Sequence, residues 1–158
     1  MSAADARHLL VVYHSRSGGT QALADAAIAG ARSDDIDNVE VRVRTAFEAT
    51  IDDVRWCNGI VMGTPENFGY MSGALKDFFE RIYYALADET RGLPYTLFVK
   101  GGHDGEGAVR SVERIVAGLG WKAVLAPVLV VGDLDDAALE RVHELGITFA
   151  AGLDAGVF

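Results

Sequence analysis

The sequence predicts an α/β protein, a three-layer α/β/α sandwich whose five-stranded parallel sheet has the strand order 2-1-3-4-5. Short apolar segments alternate with segments of helical periodicity, which is typical of parallel strands joined by crossover helices. Residues 39–44 alternate strictly between valine and charged side chains. This alternation is typical of an edge strand with one buried and one solvent-exposed face. Pro127 lies inside the fifth apolar segment, and since proline is tolerated mainly on edge strands or at bulges, it predicts the opposite edge.

The first half of the chain supplies three strands and two helices. The apolar segment 9–12 predicts a buried strand, and the alanine-rich segment 18–31 predicts a helix with a small-residue face that can lie close to the sheet. After the alternating strand at 39–44, a short helix is expected at 52–57. The apolar segment 59–63 predicts the third strand.

The second half continues the alternation. Helix 72–86 carries large apolar side chains on one face, and Ser72 is its predicted N-cap. A strand at 94–100, a helix at 108–119 and an uninterrupted fifth strand at 122–131 follow. The last helix is expected to begin at Asp135 or Asp136. The whole chain, 1–158, is therefore predicted to be a single domain with a substantial core.

The composition excludes several classes of partner. The formal net charge of −9 would repel nucleic acid and anionic membrane surfaces, whereas a cationic protein partner is compatible with it. The only cysteine is Cys57, so no internal disulfide can form. The segment 9–13 is too short for a signal core or membrane span, which favours a cytoplasmic protein without membrane insertion. Nothing in the sequence is spaced like a metal site.

The loop after the first strand reads Tyr-His-Ser-Arg-Ser-Gly-Gly-Thr over residues 13–20. It has neither the Lys-Ser/Thr pair of a Walker loop nor the three spaced glycines of a dinucleotide turn. Its hydroxyl and glycine residues precede a helix N-terminus, an arrangement that can bind a phosphate through backbone N–H groups. A serine- and glycine-rich turn without a ligand is the alternative. The candidate side-chain donors of this loop are Ser15, Ser17 and Thr20, and Gly18 would let the backbone approach a ligand closely.

Two more glycine-containing loops follow the third and fourth strands, at residues 63–73 and 101–107. In the predicted strand order, all three loops lie at the carboxyl edge of the sheet beside its switch point, where open α/β sheets bind ligands. Two other readings of the chain fail. A phosphatase loop at Cys57 would need arginine where Gly63 stands, and the first strand ends without the carboxylates of a response regulator.

The segment 63–73 reads Gly-Thr-Pro-Glu-Asn-Phe-Gly-Tyr-Met-Ser-Gly. It closely resembles the second flavin loop of flavodoxin-like NAD(P)H–quinone and FMN reductases, particularly the Wrb-type quinone oxidoreductases, and the loop at 13–20 resembles the FMN-phosphate loop of the flavodoxin-like superfamily. The resemblance implies a flavodoxin-like fold, FMN as cofactor and NAD(P)H as electron donor. The extra segments with which Wrb-type enzymes build a tetramer and a quinone pocket are not matched, so these two features are not carried over.

The resemblance also implies roles for particular residues. The residues that would enclose the FMN phosphate are Ser15, Arg16, Ser17, Gly18, Gly19 and Thr20. The far wall would be formed by Gly101, Gly102 and His103, and His103 would be the catalytic candidate for delivering a proton to reduced quinone. The residues expected to run along the isoalloxazine ring are Thr64, Pro65, Glu66, Asn67, Phe68 and Gly69.

Two functions of different classes follow. The favoured one is an FMN-dependent oxidoreductase that takes electrons from NAD(P)H and passes them to a quinone or similar acceptor. The alternative is a flavodoxin-type electron carrier that docks on a cationic redox partner and turns over no small substrate. A homodimer is compatible with both, and a domain that kept the fold without the flavin is a third reading.

Overall fold

The computed structural model describes residues 5–158. They form a parallel sheet with helices on both faces. The strands are β1 (Arg7–Tyr13), β2 (Val39–Thr45), β3 (Gly59–Pro65), β4 (Pro94–Gly101), β5 (Lys122–Ala123) and β6 (Val128–Val131). The helices are α1 (Gly19–Ala31), α2 (Ile51–Trp56), α3 (Gly73–Leu86), α4 (Glu106–Leu119) and α5 (Asp136–Asp154). No helix among these residues is long and apolar enough to cross a membrane.

The strand order is β2-β1-β3-β4-β5, with β6 also paired to β4, and every pairing between strands is parallel. The predicted strand order of the parallel sheet is thereby confirmed. In the register of the sheet, Tyr13 is paired with both Thr45 and Gly63, and Gly63 is paired with Phe98. The carboxyl ends of β1, β3 and β4 consequently lie side by side, and the loops that follow them share one edge.

The prediction of an uninterrupted fifth strand was wrong. Tyr95 of β4 is paired with Ala123 of β5, but Phe98 of β4 is paired with Val128 of β6. Between these pairs β4 advances by three residues and the partner segment by five, so the edge carries a two-residue excursion. Pro127 lies in it and has no N–H to donate to the ladder. The edge position that this proline predicted is confirmed.

Alternate residues of the central strands pack into two cores, as the pleat of a sheet requires. One face of the sheet is covered by α3 and α4, and the other by α1 and α5. The predicted apolar face of α3 is buried in the first core. The small-residue face of α1 allows very close contact with α5, because a Cβ at Gly30 would collide with the carbonyl oxygen of His143 and one at Gly146 with that of Ala27.

A buried carboxylate joins the edge strand β2 to α2. Asp53 lies 3.1 Å from Arg42 and 3.4 Å from Arg44, and with Thr50 it closes a capping box at the start of α2. Burial acts to raise the pKa of Asp53, but the hydrogen bonds from Thr50, the charge of Arg44 and the hydrogen bond from Arg42 outweigh it and lower this pKa below its usual value. The ionised carboxylate therefore stabilises the folded edge.

Candidate functional site

Three loops meet at the carboxyl edge of the sheet: the first loop (residues 14–18), the second loop (residues 66–72) and the third loop (residues 102–105). They surround a cavity of about 250 Å³, which we call the central cavity. Residues from the start of α1 and the ends of β3 and β4 complete its wall. The lining residues are Arg16, Ser17, Gly19, Thr20, Pro65, Glu66, Asn67, Lys100, Gly101 and Gly102.

Ser15 shapes the first loop. Its Oγ accepts hydrogen bonds from the backbone N–H of Gly18 at 3.2 Å and from that of Gln21 at 3.1 Å. Gly18, the N-cap residue of α1, has a φ of 94° and so occupies the left-handed region that favours glycine. A hydroxyl has two acceptor lone pairs and one donor hydrogen. Both lone pairs of the Ser15 Oγ accept these backbone hydrogen bonds, so its hydroxyl hydrogen can donate to a ligand.

The start of α1 presents unused donors to the central cavity. Among residues 5–158, no atom accepts a hydrogen bond from the backbone N–H of Ser17, Gly19 or Thr20. Thr20 is only 3% exposed, and its hydroxyl has no hydrogen-bond partner in the same described range. Because the amino end of a helix also carries a partial positive charge, these donors favour an anion.

Lys100 adds a positive charge that sequence reasoning missed. A Cβ at Gly19 would lie 3.5 Å from the Cγ and 3.7 Å from the Cε of Lys100, so the lysine side chain runs past the first turn of α1. No carboxylate of the described residues forms an ion pair with it. The one signal in the sequence was its position just before Gly101, at the carboxyl end of a central strand.

The tip of the second loop is a tight turn with an unusual backbone. Asn67 and Tyr70 form an antiparallel bridge with hydrogen bonds of 2.8 and 3.0 Å. Between them Phe68 has a φ of 54° and Gly69 a φ of 70°. Left-handed geometry costs a residue with a Cβ about 1–2 kcal/mol. The turn holds the phenyl ring of Phe68 fully in solvent beside the central cavity.

The base of the second loop is fixed by buried hydroxyls. The Oγ1 of Thr64, which is fully buried, accepts a hydrogen bond from the N–H of Ser72 at 2.9 Å and donates one to the carbonyl of Pro65 at 2.8 Å. The N–H of Met71 donates to the Oγ of Ser111 in α4 at 3.0 Å. Thr64, predicted as a cofactor contact, is therefore placed behind the loop, where it positions the residues in front of it.

Helix α4 also limits where the second loop can lie. A Cβ at Gly107 would collide with the carbonyl oxygen of Gly69. The helix begins at Glu106, two residues before the predicted start, with Gly105 as its N-cap, and the carboxylate of Asp104 accepts a hydrogen bond from the Glu106 N–H at 3.0 Å. The first turn of α4 packs directly against the second loop at Gly69.

The structure gathers most of the predicted site residues, but not all. Nine of them line the central cavity: four from the first loop and the start of α1, three at 65–67, and Gly101 and Gly102. Ser15, Gly18 and Thr64 shape the loops from behind, while Phe68 and Gly69 form the tip of the second loop. His103 is exposed on the third loop and does not belong to the cavity wall.

The other reactive groups lie outside this site. Cys57 is buried, and burial raises the pKa of its thiol to about 12, so the nucleophilic thiolate is absent near neutral pH. Among residues 5–158, no cluster of three or more histidine, cysteine or carboxylate side chains could hold a metal ion.

A 2-1-3-4-5 parallel sheet with helices on both faces and a cavity at its carboxyl edge is the flavodoxin-like fold. Within this class, a model of the NADPH-dependent FMN reductase family matches residues 22–135. The chain belongs to that family. The match includes the second and third loops and begins just after the first loop, so the candidate phosphate contacts at 15–20 rest on the structure and the sequence pattern.

Individual relatives point in two functional directions. The chain is 36% identical to a flavodoxin of Aquifex aeolicus over 63% of this chain and 52% of the relative. It is 33% identical to an NAD(P)H dehydrogenase (quinone) of Acidithiobacillus ferrooxidans over 46% of each chain. The chain thus spans about half the length of the curated relatives it matches.

Among solved structures, the chain resembles a flavodoxin from the domain Archaea, with a TM-score of 0.78 and 24% identity over 92% of this chain and 98% of that one. At this level of identity the likeness bears on the fold. Together with the family match, it confirms the flavodoxin-like assignment made from the sequence.

Proposed function

We propose that the chain, as a single domain over residues 1–158, binds FMN in the central cavity and transfers electrons from NAD(P)H to a quinone or similar acceptor. One observation carries the proposal: N–H donors at the start of α1 and the ammonium of Lys100, all without a partner among residues 5–158, lie at one cavity. Membership of the NADPH-dependent FMN reductase family supports FMN as the cofactor and an oxidoreductase as the class of protein.

The residues fit the phosphate end of FMN. A phosphate monoester brings nearly two negative charges to a protein whose formal charge is −9. Backbone N–H groups of Ser17, Gly19 and Thr20, the Ser15 hydroxyl hydrogen and the Lys100 ammonium act at short range. Charge-assisted hydrogen bonds are about twice as strong as neutral ones, so these local donors outweigh the repulsion of the distant carboxylates, which salt screens.

The residues also fit the flavin ring. Residues 65–67 and the glycines at 101 and 102 form two walls of the cavity, and the exposed phenyl ring of Phe68 can cover an aromatic ligand. When bound, FMN supplies the hydride and electron chemistry, and the protein supplies its orientation and electrostatic environment. We assign the Glu66 carboxylate, which lines the cavity, the role of acceptor for a ring N–H. The exposed His103 is assigned the delivery of a proton to a reduced acceptor, since an imidazole can act as a general acid.

A flavodoxin-type electron carrier is the second candidate. The flavodoxin of Aquifex aeolicus, the relative with 36% identity, favours it, and the acidic charge suits docking on a cationic redox partner. The NAD(P)H dehydrogenase (quinone) relative supports the enzyme and the quinone as acceptor. In either case we propose a cytoplasmic protein that works alone, as a homodimer or with such a partner.

Anaerobic reduction separates the two candidates. The FMN-loaded protein is mixed with NADPH, and separately with NADH, while the visible absorption of the flavin is followed. Rapid loss of this absorption, and turnover when a soluble quinone is added, is the result expected of the reductase. Persistent absorption with either nucleotide would contradict the reductase and favour the carrier. Failure to retain or bind FMN would overturn both.

A further inference from the structure

A second, larger cavity reaches the same loop as the central one, because the second loop contributes residues to the walls of both. It has a volume of about 940 Å³, lies between α3 and α4, and reaches the second loop at Gly69 and Tyr70. This size falls within the range of about 300–1,000 Å³ that small-molecule sites occupy. We call it the basic groove, because its charged wall consists of Lys76, Arg110 and Arg114 with a single carboxylate, that of Glu113.

The cations of the basic groove are only weakly engaged by the protein. Lys76 and Arg110 each lie 3.7 Å from a glutamate one turn away on their own helix, and exposed pairs of this kind contribute little. Within the described part of the chain, Arg114 forms no ion pair. Arg110 and Arg114 are four residues apart and therefore share one face of α4. Three cations therefore line the groove beside the carboxylate of Glu113, and Arg114 is the one among them that forms no ion pair with a described residue.

The chemistry of the groove matches a phosphorylated nucleoside. Guanidinium groups bind phosphate through two parallel hydrogen bonds, and arginine is favoured wherever such recognition is needed. Tyr70, 41% exposed at the mouth of the groove, offers a ring on which a purine can stack. The groove begins at Gly69, in the same loop that borders the central cavity. A ligand in the groove would therefore approach the central cavity past this loop.

We propose that the basic groove binds the adenosine 2′,5′-bisphosphate half of NADPH, and that Arg110 and Arg114 determine preference for NADPH over NADH. This inference rests on the proposed function. NADH differs at this end by lacking the 2′-phosphate and its negative charge. Loss of a hydrogen bond to a charged group costs about 1.5–3 kcal/mol, so each arginine contact to that phosphate should change affinity at least about tenfold.

The test uses a ligand that cannot be oxidised or reduced. Adenosine 2′,5′-bisphosphate and adenosine 5′-monophosphate are titrated calorimetrically into the FMN-loaded full chain, into Arg110→Ser and Arg114→Ser, and into Arg91→Ser as control. Arg91 is an exposed arginine preceding β4, at the amino end of the strands. Each variant removes one positive charge, so the control separates a local contact from the change in net charge.

We expect the bisphosphate to bind wild-type protein more tightly than the monophosphate, both groove variants to bind it at least about tenfold more weakly, and Arg91→Ser to match wild type. No binding to wild-type protein, or equal binding by all variants, would overturn the proposal. The same titrations on the chain without FMN keep this outcome distinct from failure of the proposed function. If FMN binds and NADPH reduces it while the groove variants leave the NADPH/NADH preference unchanged, only this inference falls.

Discussion

Replacing Lys100 by methionine tests whether the central cavity holds the phosphate of FMN. Methionine keeps an unbranched, apolar side chain of similar length, so the packing of the lysine Cγ and Cε beside Gly19 is largely retained. What disappears is the ammonium group, which pairs with no carboxylate of the described residues. We therefore expect the substitution to leave the fold intact and to weaken the binding of FMN.

The expected loss follows from the lysine's position. Its stem runs past the first turn of α1, where the unused N–H groups of Gly19 and Thr20 lie. A hydrogen bond to a charged partner contributes about 1.5–3 kcal/mol, which corresponds to an increase of about 10- to 150-fold in the dissociation constant. Because salt screens charges near the surface, the difference should shrink as ionic strength rises.

The assay is quenching of flavin fluorescence, with FMN and with riboflavin, for wild type, Lys100→Met and Lys122→Met. Lys122 is an exposed lysine of β5 at the amino end of the sheet and serves as the matched control. Only FMN affinity of the Lys100 variant should fall, since riboflavin has no phosphate. Equal weakening of FMN and riboflavin, or unchanged FMN affinity, would refute this placement of the phosphate.

Three further expectations test other parts of the structure. Gly107→Ala should push the second loop away at Gly69 and weaken FMN binding by about tenfold or more. Gly73→Ala, whose added Cβ would meet no atom within 4 Å, should leave FMN binding unchanged. Fluorescence titration of both variants with FMN measures the difference, and equal affinity of the two would contradict this expectation. The pKa of Asp53 is lower in the folded than in the unfolded protein, so its ionised carboxylate stabilises the fold. This stabilisation is fully present above the pKa of the unfolded protein, about 3.9, and is lost as the pH falls through the pKa of the folded protein. In urea unfolding, Asp53→Asn should flatten the acid limb of the stability profile, and an unchanged profile would contradict this. Cys57 should resist a thiol reagent at pH 8 in the native protein and react upon unfolding, as burial raises its pKa to about 12; mass spectrometry shows either result.

The strand order could be predicted from the sequence because each edge strand has a recognisable pattern within its own residues. The valine and charge alternation at 39–44 and the proline at 127 each reflect a property of a single strand, and both edges were placed correctly. The division of the last strand was not predicted. Val124 and Leu125 have the apolar side chains of a strand. In the structure, however, the carbonyl of Leu125 accepts a hydrogen bond from the side-chain hydroxyl of Thr96 in β4 at 3.1 Å. This contact joins residues far apart in the sequence, so a local pattern could not predict it.

The candidate site shows the same division between local and tertiary information. The three loops could be predicted because glycines and hydroxyls follow apolar segments directly. Lys100 could not, since its approach to Gly19 depends on the placement of β4 and α1 across the sheet. The close contact of Gly107 with Gly69 likewise arises only when α4 packs on the second loop. Thr64 was identified as a residue of interest, yet its hydrogen bonds to the loop backbone required the fold.

The most direct test of the whole account is the FMN dissociation constant of Ser17→Glu measured beside wild type and Thr148→Glu. Ser17 is exposed at the mouth of the central cavity, and Thr148 is exposed on α5, so each variant adds one negative charge without burying it. We expect wild type and Thr148→Glu to bind FMN equally, and Ser17→Glu to bind it at least about 100-fold more weakly, because the carboxylate repels the phosphate and fills its place. Equal FMN affinity in all three proteins would contradict the assignment of the first loop to the phosphate.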